Sequence, residues 1–415
     1  MVSVLVEEAN RLGVKRLGRI MVTDLLKHNG TVIGAVGFSI LNGDFYVFEA
    51  GATILATGSG GMDMALRAGA ELKNFEFAVV RPSPKMFMWE GQTSFFPLGA
   101  KLINAKGEPF MERYSPKLGT NTDWHYNSLG IAIETRAGRG PIYLDCSAMK
   151  PEDIELMKPK TGWQVLNYER LIKLGVVKDF FNENTEWISN YQLTFGGTVV
   201  DKECRTVVPG LFAAGTSCAI EPGVYMGGWN LCKTAVTGHI AGESAGKFAK
   251  SGRPFHIEEL KVKSLNSELF APFGTDGINP KEALRLIHTT VSPYEVCLLK
   301  NEMSLKKALA EIENIKSEML PRLAAGDPHY LMKLIEVRNI ILTSELLLRA
   351  SIMRTESRAG HYREDYPERD DKNWLKWIII SRENGELSLR TESVPFDKYR
   401  YRTTRYYIDN FQFSK

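Results

Sequence analysis

Two short apolar segments that each end in glycine constrain the fold of this chain more than any other feature of its sequence. They are residues 52–61 (ATILATGSGG) and residues 210–215 (GLFAAG), and a long stretch of the chain separates them. A short apolar run is typical of a buried parallel strand, and glycine at its end lets the backbone approach a bulky ligand closely. Either segment alone is equally compatible with an ordinary turn between a strand and a helix. Together they predict an α/β fold in which two strands return to one ligand-facing edge.

The sequence around these segments predicts further elements. Residues 2–13 have helical apolar spacing, and three β-rich runs between residues 17 and 49 are separated by Asn-Gly turns, which predicts a β-meander. Residues 75–190 are rich in proline, glycine and aromatic residues and have few periodic segments, so we expect an inserted α+β lobe there. Residues 233–250 predict a helix whose alanines and glycines pack closely on a sheet, and residues 280–356 predict amphipathic helices.

Composition excludes several other classes of protein. The 415 residues include 52 Lys and Arg against 49 Asp and Glu, a formal net charge of +3, which does not suit a dedicated nucleic-acid binder. No run of about 18 apolar residues is present, so we expect no membrane span. The N-terminal sequence lacks the features of a secretory signal, so we expect a cytoplasmic location, with contact to a membrane only through a partner. Five cysteines without a CxxC pair argue against a disulfide framework, a metal site or an iron–sulfur cluster in this chain.

Longer motifs resemble those of one protein family. Four stretches carry the resemblance: the β-rich region that ends in ATILATGSGG, GEPFMERY (107–114) with AGRGPIYLD (137–145), the segment 194–246 that begins TFGGTVVD, and RTESRAGHYREDYPERDDKNW (354–374). These stretches are similar to the flavoprotein subunits of fumarate reductase and succinate dehydrogenase, a family that includes L-aspartate oxidase and the α subunit of adenylylsulfate reductase. The resemblance covers nearly the whole chain.

The resemblance implies an FAD-dependent oxidoreductase of the α/β class, α+β overall. We expect an incomplete Rossmann-like FAD-binding domain with an inserted capping domain and a C-terminal helical domain. The expected divisions are 1–78 (first part of the FAD-binding domain), 79–190 (capping domain), 191–266 (returning part of the FAD-binding domain), 278–358 (helical domain) and 359–415 (C-terminal domain). The resemblance also implies that hydride passes between the flavin and a small anionic substrate, and that electrons leave through an iron–sulfur partner subunit.

The resemblance places seven residues at the flavin. They are Ala56, Thr57, Gly58, Gly215, Thr216, Asn230 and Leu231. Thr57 and Gly58 are equally compatible with a packed strand end. Thr216 stands where relatives carry a glutamate, so it keeps one hydrogen-bonding hydroxyl without the charge. Asn230 and Leu231 are expected beside the isoalloxazine ring. The motif also predicts salt bridges among Arg354, Glu356, Arg358 and Arg363.

One expected element is missing from the sequence. No GxGxxG strand–turn–helix occurs near the N-terminus, although that element normally places the FAD pyrophosphate at a helix N-terminus. We therefore expect that the chain is a fragment of a longer gene product or that a second polypeptide supplies this half. A non-catalytic remnant that has lost FAD and acts as a scaffold or assembly protein is the alternative.

The positions that the resemblance matches to substrate-binding residues of fumarate reductases carry other side chains. They are Arg81, Pro109, Gln192 and Tyr225. Pro109 stands at the match to a proton-delivering arginine, and proline cannot donate a proton. These substitutions predict a substrate other than succinate or fumarate.

Arg81 is the candidate anion-binding residue, since a guanidinium binds carboxylate, sulfate or phosphate in bidentate fashion. A structural salt bridge is the alternative for Arg81. Glu90 is a weaker candidate for the same pocket, and the residues around Arg81 also resemble adenylylsulfate reductase.

Overall fold

The chain opens with a helix and an antiparallel meander. The computed structural model describes residues 2–85, 95–160, 170, 172–175, 183–221, 223–224, 226, 228–252 and 257–400. Helix α1 (Val2–Arg11) precedes the meander strands β1 (Ile20–His28), β2 (Thr31–Ser39) and β3 (Phe45–Glu49). Asn29 and Gly30 in the β1–β2 turn have φ of 47° and 78°, the backbone geometry of a type I′ hairpin. The predicted meander is therefore confirmed.

The remaining elements continue through to the C-terminal hairpin. In chain order they are β4 (Thr53–Leu55), α2 (Met62–Ala68), β5 (Leu72–Lys73), β6 (Ala78–Pro84), β7 (Lys101–Ile103), α3 (Met111–Tyr114), α4 (Trp124–Arg136), β8 (Ile142–Asp145), α5 (Pro151–Lys160), β9 (Thr185–Thr194), β10 (Gly197–Thr198), β11 (Leu211–Ala213), α6 (Trp229–Lys250), α7 (Glu259–Phe270), α8 (Pro280–Val291), α9 (Tyr294–Cys297), α10 (Glu302–Asn314), α11 (Pro328–Met353), α12 (Asp371–Trp374), β12 (Lys376–Glu383) and β13 (Glu386–Ser393).

The two glycine-ended segments form a parallel pair of strands, β4 and β11. Thr53 lies opposite Leu211, and Leu55 lies opposite Ala213. Gly210, which precedes β11, has a φ of 78°, and a Cβ there would lie 2.3 Å from the carbonyl oxygen of Val32. Only glycine therefore lets β11 start this close to the meander. The predicted return of both segments to one sheet is confirmed.

Two four-stranded sheets organise the rest of the α/β structure. One has the order β10-β5-β12-β13, so β5 pairs with strands from two later parts of the sequence. The other has the order β6-β9-β8-β7, is antiparallel, and forms the inserted lobe together with α4. Within this lobe the buried Glu134 accepts hydrogen bonds from Arg113 (2.8 Å), Arg139 (2.7 Å) and Tyr114 (2.5 Å). This carboxylate joins the GEPFMERY and AGRGPIYLD motifs, so both motifs stabilise the lobe.

The helices α8 to α11 pack around the largest apolar core. The 26-residue α11 crosses this core, and the Asp327 carboxylate caps it by accepting from the backbone N–H of Tyr330 (2.8 Å). Buried residues such as Leu298, Leu305 and Ile335 fill the core. Among the described residues, no helix is both long and apolar enough to cross a lipid bilayer. The α/β class with an added helical region is confirmed, while the domain limits given above stay predictions.

Helix α6 differs from its prediction in two ways. It begins at Trp229 rather than at residue 233, because Gly228 adopts a left-handed φ of 79° as its N-cap. Its four buried residues are Lys233, Thr237, Ala241 and Ala245. Its glycines at 238, 242 and 246 face open space. The expectation that small residues of this helix pack closely is therefore confirmed for Ala241 and Ala245, which are buried, and wrong for the three glycines, which lie on the exposed face.

Candidate functional site

The predicted flavin residues of the two glycine-ended segments lie side by side at the carboxyl ends of β4 and β11. The backbone N–H of Thr57 donates to the Ser217 hydroxyl oxygen at 3.0 Å, and the Ser217 hydroxyl donates to the carbonyl oxygen of Gly58 at 3.0 Å. Gly215 and Thr216 belong to the short 3-10 turn Gly215–Ser217. Ligands bind at this end of parallel strands in open α/β sheets. We call residues 56–61 together with Gly215–Ser217 the flavin edge.

The N-terminal half of α6 packs against the flavin edge. The backbone N–H of Gly215 donates to the hydroxyl of Thr237 at 2.8 Å. Asn230 and Leu231 lie in the first turn of α6, and both are exposed. The structure thus brings all seven predicted cofactor residues to the neighbouring ends of β4, β11 and α6.

The residues present at the flavin edge fit a flavin. Gly58 and Gly215 have left-handed φ values of 63° and 64°, which side-chain-bearing residues adopt rarely. Ala56 and Thr57 are exposed, so the backbone there is accessible to a ligand. The buried Nε1 of Trp229 at the start of α6 has no hydrogen-bond partner among the described residues. Backbone N–H groups at a helix N-terminus together with an indole N–H form a donor set that suits the carbonyl oxygens of an isoalloxazine ring.

Arg81 lies on β6 in the inserted lobe, where its guanidinium stacks on an aromatic ring. The guanidinium carbon is 3.6 Å from the ring centroid of Trp124. Asp123 precedes Trp124 and caps α4 by accepting from the backbone N–H of His125 at 2.8 Å. Burial raises the pKa of the Asp123 carboxyl to about 7, although Arg81 and the His125 N–H lower it in part. The arrangement combines a cation with a carboxyl group that changes protonation near neutral pH.

His125 follows Trp124 in the first turn of α4 and is 3% exposed. Neither ring nitrogen has a hydrogen-bond partner among the described residues. Burial, with a further contribution from Lys300, lowers the pKa of His125 to about 3, so the ring is neutral. A Cβ built on Gly360 would lie 3.7 Å from the His125 ring, which places the ring against the C-terminal motif.

Sequence reasoning missed Asp123, Trp124 and His125. An Asp immediately before a helical segment is an N-cap signal, and it was present in the sequence. Their proximity to Arg81 depends on the packing of α4 on β6, which local patterns do not encode.

Other candidates lie in different places. Pro109 is exposed and bridges to Ile103 of β7, at the opposite edge of the lobe sheet from β6. Its match to a proton-delivering position therefore stays a prediction that the geometry around Arg81 does not support. Gln192 lies on β9, and its buried Nε2 has no partner among the described residues. Glu90 and Tyr225 lie outside the described residues.

A cavity of about 340 Å³ connects the flavin edge to the lobe. Ser59 of the flavin edge lines it together with Asn190 and Gln192 of β9, and residues of α8 and α11 complete the wall. Arg81 pairs in register with Asn190. The cavity therefore reaches the strand position next to the candidate anion-binding residue.

The C-terminal motif forms a buried polar cluster, as predicted. The Arg354 guanidinium, 1% exposed, pairs with Glu76 (2.8 Å) and Glu356 (2.8 Å). The ammonium of Lys300, fully buried, donates to the Glu76 carbonyl oxygen (2.7 Å) and the Ser351 hydroxyl (3.1 Å) and lies 3.1 Å from the His361 Nδ1. Arg358 pairs with Glu356, as predicted, and Arg363 pairs with Asp365, which the prediction did not name. We call Glu76, Lys300, Ser351, Arg354, Glu356 and His361 the C-terminal polar cluster.

Comparison with known protein families gives two matches. The family described as "FAD binding domain" matches residues 1–231, which is more than half of the chain. The family described as "Fumarate reductase flavoprotein C-term" matches residues 290–407. The second match includes every residue of the C-terminal polar cluster except Glu76, which lies within the first match.

Individual relatives agree with these matches. One subunit of the fumarate reductase (CoM/CoB) of Methanothermobacter marburgensis is 29% identical, and the alignment covers 92% of this chain and 73% of the relative. The 8-methylmenaquinol:fumarate reductase flavoprotein subunit of Wolinella succinogenes is 27% identical over 96% of this chain and 70% of the relative. Among solved structures, Mycobacterium smegmatis Sdh1 in complex with UQ1 is 26% identical, with a TM-score of 0.78 over 94% of this chain and 71% of that chain. Adenylylsulfate reductase from Archaeoglobus fulgidus is 23% identical, with a TM-score of 0.76 over 94% of this chain and 75% of that chain, and shares the fold.

Proposed function

Because the chain belongs to the flavoprotein family of fumarate reductase and succinate dehydrogenase, we propose that this FAD-dependent oxidoreductase acts on a small anionic substrate held by Arg81. FAD supplies the hydride chemistry when it is bound. The cavity shared by the flavin edge and the lobe supports this proposal most directly, since Ser59 and Asn190 both line it. Arg81 is the register partner of Asn190, so the proposal requires a substrate anion to bridge from the guanidinium to the lobe end of that cavity.

The chain's own residues would divide the work of binding and proton transfer. Arg81 would bind an anionic group, and its stacking on Trp124 keeps the guanidinium oriented. Asp123 would carry the proton that accompanies hydride transfer, because its pKa of about 7 lets it hold or release a proton at neutral pH. His125 would stay neutral and buried at neutral pH. Residues of the flavin edge, with Asn230 and Leu231, would hold the isoalloxazine ring.

The substrate is proposed to differ from succinate and fumarate. Arg81 and Gln192 stand where the resemblance expects histidines, and a neutral amide offers no charge to a second carboxylate. An adenylylsulfate reductase-like activity is the alternative. The shared fold agrees with that alternative but does not favour it over other anions.

Anion binding by the FAD-loaded protein tests the proposal. Fumarate, L-aspartate, sulfite and adenylyl sulfate would each be titrated while the visible absorbance of the flavin is recorded. We expect at least one of L-aspartate, sulfite and adenylyl sulfate to perturb the spectrum more strongly than fumarate does. Arg81→Gln should weaken the binding of that anion about tenfold or more, as expected for loss of a charge-assisted bidentate contact. Arg136→Gln is the matched control, because Arg136 lies on α4 and pairs at the surface with Glu364 (2.8 Å).

Two results would contradict the proposal in different ways. A protein that carries FAD but responds to none of the four anions would remove the proposed substrate class. A folded, colourless protein that takes up no FAD would favour the non-catalytic scaffold.

An iron–sulfur electron-transfer protein is the proposed partner. The relative from Methanothermobacter marburgensis and that from Wolinella succinogenes are both named as subunits, which supports an assembly. The chain itself has five separate cysteines, and no cluster of three or more metal-binding side chains occurs in the part of the chain that the structure describes. Copurification of an iron–sulfur protein with the tagged chain from its native source would support this partner, and isolation of active enzyme without one would contradict it.

A further inference from the structure

A buried ion pair lies directly behind the flavin edge. Lys233 on the second turn of α6 contacts Glu221 through its ammonium and the carboxylate Oε1, and the two side chains are 0% and 3% exposed. Lys233 is one of only four buried residues in the 22 residues of α6. The other three, Thr237, Ala241 and Ala245, are small, so a charged side chain is the exception on this packed face.

The ion pair is connected to the turn Gly215–Ser217 through two neighbouring contacts. The Lys233 ammonium donates to the hydroxyl oxygen of Thr216 at 3.4 Å. One helical turn later, the hydroxyl of Thr237 accepts from the backbone N–H of Gly215 at 2.8 Å and donates to the Lys233 carbonyl oxygen at 2.7 Å. The same stretch of α6 therefore holds both Gly215 and Thr216 in place.

Stability alone does not account for this ion pair. Removing two charges from water carries a large desolvation penalty, and well-packed apolar residues of similar size are often at least as stable. A lysine near the N-terminal end of a helix is also disfavoured by the helix dipole. Local rules of this kind are usually broken at functional sites, and this ion pair is in contact with the predicted cofactor turn.

We propose that Lys233 and Glu221 form a positioning and electrostatic pair for the flavin. Glu221 fixes the ammonium of Lys233, and Lys233 fixes the Thr216 hydroxyl and places a positive charge behind the turn Gly215–Ser217. A fixed positive charge near a flavin favours its reduced form, which carries more negative charge, and a fixed negative charge favours the oxidised form. The proposal rests on FAD binding at the flavin edge, but it requires no particular substrate.

The test uses Lys233→Met, Glu221→Gln and the double variant, each loaded with FAD. We expect Lys233→Met to lower the midpoint reduction potential of the flavin, because the positive charge is gone. Glu221→Gln should raise the potential, because the ammonium loses its counter-charge. The double variant should lie between the two. FAD affinity, followed by quenching of flavin fluorescence, should weaken about three- to tenfold in Lys233→Met, since the hydrogen bond to Thr216 is lost.

Lys247→Met is the matched control. Lys247 lies on the same helix, its side chain is 80% exposed, and its contact with Glu243 is 3.8 Å, so both the potential and the FAD affinity should stay at the wild-type values. Because single variants leave a buried charge unpaired, the double variant keeps the measurement possible if a single variant fails to fold. The midpoint potential of the double variant should lie close to the wild-type value, because both charges of the pair are removed together.

Opposite shifts in the two single variants distinguish an electrostatic role from a structural one. Potentials that move in the same direction, or do not move, overturn the proposal, as does a wild-type chain that takes up no FAD. The measurements involve no substrate. Suppose that the wild type binds FAD and the two single variants shift the potential in opposite directions, but none of the four anions binds. That result would overturn the proposed substrate class and leave this inference in place.

Discussion

The C-terminal polar cluster and the flavin edge are both polar regions inside the α/β structure, but they use their polar groups differently. In the cluster, two oxygen acceptors and the His361 ring surround the ammonium of Lys300, and Arg354 pairs with two carboxylates. At the flavin edge, the backbone of Ala56 and Thr57 is exposed, and the Trp229 Nε1 has no partner among the described residues. Most polar groups of the cluster have partners, the buried Glu76 Oε2 being an exception, and such a network rigidifies the fold, whereas exposed backbone groups at the ends of parallel strands are accessible to a ligand. The contrast separates the region that holds the fold from the region proposed to bind the cofactor.

The largest expected effect comes from breaking the C-terminal polar cluster. Arg354→Met leaves the buried Glu76 and Glu356 without their shared cation, and removing one partner of a buried pair costs about 3–5 kcal/mol. The free energy of unfolding from urea titration should fall by that amount. Arg390→Met is the control, because Arg390 is 45% exposed and its bond to Glu71 (2.6 Å) is at the surface, where an ion pair contributes about 0–1 kcal/mol. Equal losses in the two variants would remove the distinction between a buried structural network and surface charge.

A second prediction concerns the left-handed glycine of the flavin edge. Gly215→Ala should cost about 1–2 kcal/mol of stability, because a side-chain-bearing residue is strained at a φ of 64°. Gly138→Ala introduces the same strain at a φ of 71° in an exposed turn where a Cβ meets nothing within 4 Å. Only Gly215→Ala should also weaken FAD binding. If both variants bind FAD like wild type, the turn Gly215–Ser217 is not part of the cofactor site.

A third prediction concerns pH. The folded pKa of Asp123 is about 7 against a usual value of 3.8, so the folded protein retains this proton up to neutral pH. As pH rises through about 7, the carboxyl ionises and competes with an anion for Arg81, so anion affinity should fall roughly three- to tenfold between pH 6 and pH 8. Asp123→Asn keeps the N-cap and should remove this pH dependence. A variant with the same pH profile as wild type would show that another group titrates.

The same shift affects stability. Between the unfolded and folded pKa values the folded state binds more protons than the unfolded state, so stability from this group is present at low pH and is lost as pH rises toward about 7. The midpoint temperature of thermal unfolding of wild type should therefore fall across this pH window relative to that of Asp123→Asn. A constant difference between the two proteins would contradict the raised pKa.

The sequence was sufficient where local patterns determine structure. The Asn29-Gly30 hairpin, the pairing of the two glycine-ended segments and the ion pairs of Arg354 all followed from turn chemistry, from apolar runs or from the family resemblance. The resemblance alone could not show where Pro109 lies, because only the strand order of the lobe sheet places it at the opposite edge from β6, which carries Arg81. Lys233 looked like an ordinary helical lysine, since its burial depends on which face of α6 packs. Long-range packing therefore decided the parts of the site that the sequence left open.

The smallest expected effect tests the outer face of α6. A Cβ on Gly242 would meet nothing within 4 Å, and its φ is not left-handed. Alanine is a better helix former than glycine, so Gly242→Ala should raise the free energy of unfolding by about 0.5–1 kcal/mol if this face is exposed in solution. Gly215→Ala gives the opposite sign, because there the backbone conformation requires glycine. A destabilised or less self-associated Gly242→Ala protein would instead show that another element covers this face, since close packing against a helix is the other reason to keep glycine in its middle.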